Sequence, residues 1–180
     1  MMNSPETETT ELNKKFLNSE LSYVRHEHIN NQWQITNDDV MGGLSQGHVQ
    51  LDNQAFVFSG TISTENNGGF TSTFTPIVKL AQNIKTIRIQ VKGDGNPYQL
   101  RVRTKLMGFD LAYKVDFMTT ANAIATLNFN FTDFKATFRG RMIGNAPILK
   151  PYEITHLGFL ISAKKPKKFA LSVLSVDFLH

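Results

Sequence analysis

Several stretches of this chain hold residues that could do chemistry. Asp38 and Asp39 are adjacent carboxylates, with Glu65 and Asp94 elsewhere in the chain. Two carboxylates roughly 5–9 Å apart across one sugar ring would make a glycosidase. Neighbours in an extended chain point to opposite faces, so Asp38 and Asp39 are poorly placed to cooperate. Gly43-Leu44-Ser45-Gln46-Gly47 has the Gly-x-Ser-x-Gly form of a nucleophile elbow. That elbow needs a helix after it. His48-Val49-Gln50-Leu51 instead continues as an alternating strand, which makes a glycine turn the simpler reading. His26-Glu27-His28 would put two imidazoles on one strand face, the start of a metal site if His48 or His156 joined them. The plainer alternative is an exposed segment before the first strand. Gly93-Asp94-Gly95 resembles a phosphate-binding glycine pair but lacks dinucleotide and P-loop spacing, so it reads as a tight turn with positive φ. No coherent nucleophile–base set emerges, and no catalytic residue or metal ligand is expected.

Two polar, glycine-bearing segments are less ordinary. One runs from Trp33 through Asn37, Asp38, Asp39, Val40, Met41, Gly42 and Gly43 to Ser45; the other from Thr64 through Glu65, Asn66, Asn67, Gly68 and Gly69 to Phe70. Asn and Asp side chains bond nearby backbone, and glycine permits positive φ or close chain approach. The pair is either two elaborate loops or a shared polar site, with Trp33 or Phe70 as a stacking surface. Spacing leaves both readings open.

The elements that must position these residues are strands. Phe56, Phe58, Gly60 and Ile62 share one face, as do Ile87, Ile89 and Val91. Tyr98, Leu100 and Val102 alternate with arginines; Tyr113, Val115 and Phe117 alternate with Lys114 and Asp116. Leu127, Phe129 and Phe131 follow, then Leu157, Phe159, Ile161 and Ala163. Near the C-terminus, Phe169, Leu171 and Val173 give way to Leu174, Val176 and Phe178, a shift that predicts a bulge. Recurrent period two, with turns of Gly, Asn, Pro and Asp between, predicts an all-β sandwich or barrel. The excess of Phe, 14 against 4 Tyr and 1 Trp, suits the roughly 10 Å gap between two sheets. Residues 1–20 are expected to be a flexible N-terminal tail, and residues 21–180 a single β-sandwich domain.

Composition narrows the chemistry further. With 180 residues the chain suits one domain plus a tail. It has no cysteine, which excludes disulfides, thiolate metal sites and a Cys nucleophile. The net charge is +4 and the pI about 9.3. The tail is acidic, with Glu6, Glu8, Glu11 and Glu20 against Lys14 and Lys15, so the remainder is the more basic part. Lys164-Lys165-Pro166-Lys167-Lys168 falls between two strand patterns and reads as a hairpin tip. It could grip phosphates or an acidic partner. It lacks interleaved aromatic residues for base stacking, so nucleic acid is not expected. No segment is long and apolar enough to span a bilayer. Met1 to Asn18 has neither a hydrophobic signal region nor a transit-peptide pattern, which predicts a cytoplasmic protein.

At the polar loops the chain resembles the complex I intermediate-associated protein 30 family. The resemblance runs from Trp33 to about Phe178. It rests first on Asn37-Asp38-Asp39-Val40-Met41-Gly42-Gly43-Leu44-Ser45 and Glu65-Asn66-Asn67-Gly68-Gly69-Phe70. Phe56, Gly60, Gly93-Asp94-Gly95, Tyr98, Arg101, Phe131, Phe134, Phe138-Arg139-Gly140-Arg141 and Gly158-Phe159 extend it. Relatives tend to carry an Arg shortly after the Gly-Gly-Phe block, where this chain has Phe74. The resemblance implies a jelly-roll β-sandwich like that of galactose-binding domains. It also implies a non-enzymatic role, as in eukaryotic members that hold partly built intermediates of respiratory complex I. With no transit peptide or added domain, the chain is expected to be a standalone bacterial member.

Two functions follow as expectations. The first is a protein-binding module, assembly-factor or chaperone-like, whose partner is a protein such as a respiratory-complex intermediate. Its site would comprise Trp33, Asn37, Asp38, Asp39, Met41, Glu65, Asn66, Asn67 and Phe70, with Asp94, Tyr98, Arg101 and Arg139 nearby. In this reading Asp38, Glu65 and Asp94 pair with Arg101 and Arg139 to fix the loops. The alternative is a carbohydrate or small-ligand binding module, for which Trp33 and Tyr98 would be the aromatic platform. No cofactor is expected; folds of this kind can hold a structural calcium, for which Asp and Asn loops could supply the oxygen ligands.

Overall fold

The computed structural model describes residues 33–52, 55–106 and 109–180. The expected tail and His26-Glu27-His28 lie outside the described residues. The strands are β1 Gln34–Asn37, β2 Gln46–Asp52, β3 Ala55–Ile62, β4 Phe70–Pro76, β5 Thr86–Lys92 and β6 Pro97–Leu106. They continue with β7 Phe109–Met118, β8 Ile124–Asn130, β9 Lys135–Phe138, β10 Arg141–Met142, β11 Ile154–Ser162 and β12 Lys167–Leu179. Seven form one sheet in the order β1-β4-β11-β6-β7-β9-β10; five form a second in the order β2-β3-β12-β5-β8. Neighbouring strands are antiparallel in both, so the chain is an all-β sandwich.

The apolar faces read from the sequence meet between the sheets. Phe56 and Phe58 of β3, Ile87, Ile89 and Val91 of β5, and Leu171 and Val173 of β12 are buried from the five-stranded side. Tyr98, Leu100, Val102, Leu157, Phe159 and Ile161 are buried from the seven-stranded side. Rings interlock across the layer, with Tyr98 edge-on to Phe169 at 6.5 Å and Phe117 at 6.0 Å from Phe129.

The expected bulge in β12 is present. The register against β5 shifts between Val173 and Ser175, after which Val176 and Phe178 are buried and Leu174 is half-buried. β8 is shorter than its alternation predicts. It stops at Asn130, because Phe131 opens a one-turn helix capped by the Asp133 side chain on the Asn130 N–H at 2.8 Å. Phe131 stays buried in that new direction.

The antiparallel register gathers one set of loops at one end of the sandwich. β1, β3, β5, β7 and β11 finish there, and β2, β4, β6, β8 and β12 begin there. The segments 38–45, 63–69, 93–96, 119–123 and 163–166 therefore converge. The turn from Phe138 to Arg141 sits at the opposite end of the seven-stranded sheet.

Candidate functional site

The convergent loops are built around two carboxylates, each saturated by the protein. Asp38 sits in a one-turn helix at Asp38–Met41 and is fully buried. Its Oδ1 accepts the Ser45 N–H at 3.0 Å. Its Oδ2 accepts the Ser45 hydroxyl at 2.6 Å, the Gly69 N–H at 2.6 Å and the Phe70 N–H at 3.2 Å. Burial pushes this carboxyl up, but the bonds from Ser45, Gly69 and Phe70 outweigh it and hold the group below its ordinary range. The paired glycines have a physical cause here. A Cβ at Gly43 or Gly68 would overlap the Asp38 carboxyl, so only glycine leaves room for it.

Neighbours extend this clamp. Asn37 Oδ1 accepts the Gly47 N–H at 3.0 Å and the Thr71 hydroxyl at 2.7 Å. Asn66 Nδ2 donates to the Gly42 carbonyl at 3.0 Å, tying the second loop to the first. Asn66 and Asn67 both hold positive φ, which Asn tolerates better than most residues. Ser45 accepts the Ser63 N–H on its Oγ, so its hydroxyl is a buried structural bridge, and strand β2 follows it where an elbow would need a helix. Asp39, Glu65, Asn66 and Asn67 are exposed and Phe70 is half-buried.

The second carboxylate, Asp94, does for the β5–β6 turn what Asp38 does for the first loops. Its Oδ1 accepts the Asn96 N–H at 2.9 Å. Its Oδ2 accepts Asn96 Nδ2 at 2.8 Å, the Tyr98 hydroxyl at 2.9 Å and the Ala170 N–H at 2.7 Å. The turn around Gly93-Asp94-Gly95 is the expected one, with Gly95 at φ 92°. Burial pushes the Tyr98 phenol up, and the Asp94 charge and hydrogen bond add to it. Lys167 of the hairpin tip donates to Asn96 Oδ1 at 2.9 Å, and the Ala163 N–H donates to the Gly69 carbonyl at 2.8 Å. The lysine-bearing tip is therefore held between the two clamps.

Three expectations are corrected by this geometry. Asp38 and Asp94 do not pair with Arg101 or Arg139; they are satisfied by amides and hydroxyls. Arg101 lies on the outer face of the seven-stranded sheet and donates to Thr137 Oγ1 at 2.9 Å. Arg139 occupies a two-residue hairpin turn with Gly140, both at positive φ, far from the convergent loops. Of the two proposed platform rings, Tyr98 is 2% exposed and so cannot serve as one, while Trp33 is half-buried and stacks on Phe56 at 4.0 Å. Among the described residues no group of three His, Asp or Glu could hold a metal ion, and the Asp38 and Asp94 carboxylates already accept protein donors. The Asp loops therefore do not fit a calcium site.

Sequence reasoning singled out Met41 but missed Val40 and Leu44. All three are large apolar side chains held out to solvent, 62%, 78% and 55% exposed respectively. Their signal was present as apolar residues inside an otherwise polar, glycine-rich segment. Met118 and Ile124 are also exposed at this end. Lys164, Lys165 and Lys168 are exposed near them. The end is thus an apolar display with a basic neighbour, on loops clamped from beneath.

Solved structures share the fold. A family 11 carbohydrate-binding module of the cellulosomal cellulase Lic26A-Cel5E of Clostridium thermocellum aligns at TM-score 0.66 and 12% identity. The alignment covers 88% of this chain and 94% of that one. The same type of module in complex with a beta-1,3-1,4-mixed-linked tetrasaccharide aligns at TM-score 0.67 and 13% identity, over 86% of this chain and 92% of that one. These likenesses establish the fold, a jelly-roll β-sandwich. No curated protein matches the chain. The sequence model of the Complex I intermediate-associated protein 30 family matches residues 21–173, and with its two motif loops folded into one clamp the chain belongs to that family.

Proposed function

We propose that the chain is a non-catalytic binding module that docks a protein partner on the loop end around Val40, Met41 and Leu44. The observation that carries this reading is the pairing of exposed apolar side chains with a buried clamp. Such loops lose little conformational entropy on binding, because Asp38 already fixes them. Exposed apolar groups beside polar and charged ones suit a protein interface. Lys164, Lys165 and Lys168 would complement an acidic rim on the partner. The family supports an assembly-factor role, with an intermediate of a respiratory complex as the partner class. The sandwich of the carbohydrate-binding modules is compatible with a sugar ligand, but Tyr98 is buried and Trp33 is half-buried against Phe56, which leaves no paired aromatic platform.

A photo-crosslinking residue placed at position 41 or 44 tests the reading in native host cells. A discrete protein adduct at both positions is expected, lost on Val40→Asp. A crosslinker at Ile148, also exposed, is the control. If positions 41 and 44 capture no more than position 148, the docking role is wrong.

A further inference from the structure

We propose that the outer face of the seven-stranded sheet, at Arg101 and Arg103, is a binding site for a small oxyanion, a carboxylate or a phosphate. The register places the face. Tyr98, Leu100 and Val102 of β6 point into the core, so Gln99, Arg101 and Arg103 point away from it. Arg101 is directly opposite Gly158 on β11 and Lys114 on β7, and Lys114 is opposite Lys135 on β9. Arg103 is opposite His156 and Ala112. Three cations thus stand side by side across three adjacent strands, with a second arginine two residues along.

Like charges directly opposite on neighbouring strands destabilise a sheet. Here their compensation is incomplete. The one ion pair among the described residues joins Lys114 to Asp116 at 2.8 Å. No carboxylate of the described residues lies within ion-pair distance of Arg101 or Arg103; Asp110 and Asp116 act on them only from further away. Arg101 is half-buried and its hydrogen bond goes to a neutral hydroxyl, Thr137 Oγ1. Its Nε is buried with no acceptor at all. The guanidinium thus has a neutral partner at one nitrogen and none at its buried Nε, and a bound anion would supply the missing charged acceptor.

Arg103 is propped rather than paired. Its guanidinium lies 3.7 Å from the centre of the Phe74 ring, which crosses Gly158 so closely that a Cβ there would overlap it. Stacking fixes the plane and leaves the N–H edges for a ligand. Two arginine forks on one strand face match the geometry that carboxylates and phosphates accept bidentately. A neutral sugar finds no such match, since the one aromatic ring in this row is covered by Arg103. The face is separate from the docking end, so each assignment stands or falls alone.

The test is calorimetric titration of the full chain with inorganic phosphate, with glucuronate and with glucose, in a chloride buffer of matched ionic strength. Saturable binding of phosphate or glucuronate is expected, and which of the two binds identifies the oxyanion. Arg101→Gln and Arg103→Gln should each weaken it at least about tenfold, while Lys85→Gln, at an exposed lysine just before β5 of the other sheet, leaves it unchanged. Arg103→Lys keeps the charge but not the fork, and should weaken binding as well. Circular dichroism of each variant checks folding; if a glutamine variant is unfolded, Arg103→Lys carries the comparison. Absence of saturable binding by both anions overturns the proposal. So does binding matched by chloride or glucose, or binding that survives the arginine changes.

Discussion

Asp38 and Gly69 are 31 residues apart in the chain, yet the Gly69 N–H donates to Asp38 Oδ2 at 2.6 Å. With Ser45 on the same carboxylate, this bond joins two loops and the start of β4 to one buried charge.

Removing that charge should be costly. Asp38→Ala leaves the amides of Ser45, Gly69 and Phe70 without their acceptor in a buried place, and should lower stability by about 3 kcal/mol. Asp38→Asn should also destabilise, because its NH2 would face donors. Urea unfolding measures both. A loss below about 0.5 kcal/mol in the alanine variant would show that the clamp contributes little.

Acid should release the same clamps. Hydrogen bonds hold Asp38 and Asp94 below the ordinary carboxylate range in the folded state, in spite of burial. As pH falls, the unfolded chain takes up protons first, near about pH 3.9, and folding loses ground as the folded groups follow. Stability contributed by these groups is therefore full at neutral pH and is lost below about pH 4. The Asp38→Asn, Asp94→Asn double variant should show a shallower acid slope. Equal slopes in urea midpoints at pH 7, 4 and 3 would contradict this.

Glycines should sort by what surrounds them. Gly43→Ala and Gly68→Ala push a Cβ into the Asp38 carboxyl and should each cost about 2 kcal/mol or more. Gly42→Ala meets no neighbour but holds φ 82°, so about 1 kcal/mol is expected. Gly144→Ala meets nothing and has no positive φ, and should be near neutral. Thermal unfolding of the four variants ranks them; any other order refutes the carboxyl-space explanation.

Tyr98→Phe removes one of the donors on Asp94 and leaves Asn96 and Ala170 in place. About 1 kcal/mol of destabilisation is expected, and its coupling to Asp94→Ala in a double-mutant cycle should be of similar size. Additivity of the two changes would mean that the bond is energetically idle.

Val40→Ser, Met41→Ser and Leu44→Ser together should change stability by less than about 0.5 kcal/mol, because these side chains are exposed. A large loss in the unfolding midpoint would make them part of the fold rather than a display for a partner.

The long strands were legible because their core faces are apolar at period two; β3, β5 and β6 lie where Phe56, Ile89 and Leu100 place them. β4 was not legible. It is a central strand between β1 and β11, yet its buried side chains include Thr71, Ser72, Thr73 and Thr75, which carry no hydrophobic rhythm. Thr71 can be buried because Asn37 accepts its hydroxyl, a partner known only once β1 lies alongside. The two motif loops were legible as a pair, but their carboxylates were expected to meet arginines. Amides met them instead, since a folded loop aims backbone N–H groups inward wherever no ladder strand takes them.

By itself the sequence determined the all-β class, the faces that form the core, the bulge in β12 and the family. These depend on local period and on motif identity, which a chain carries in one dimension. Tertiary structure alone decided that Asp38 and Asp94 are clamps, that Val40, Met41 and Leu44 face solvent, and that Arg101 stands beside Lys114. Each of those depends on which strands become neighbours, and strand order in a sandwich is set by the packing of both sheets together, not by any stretch of chain read alone.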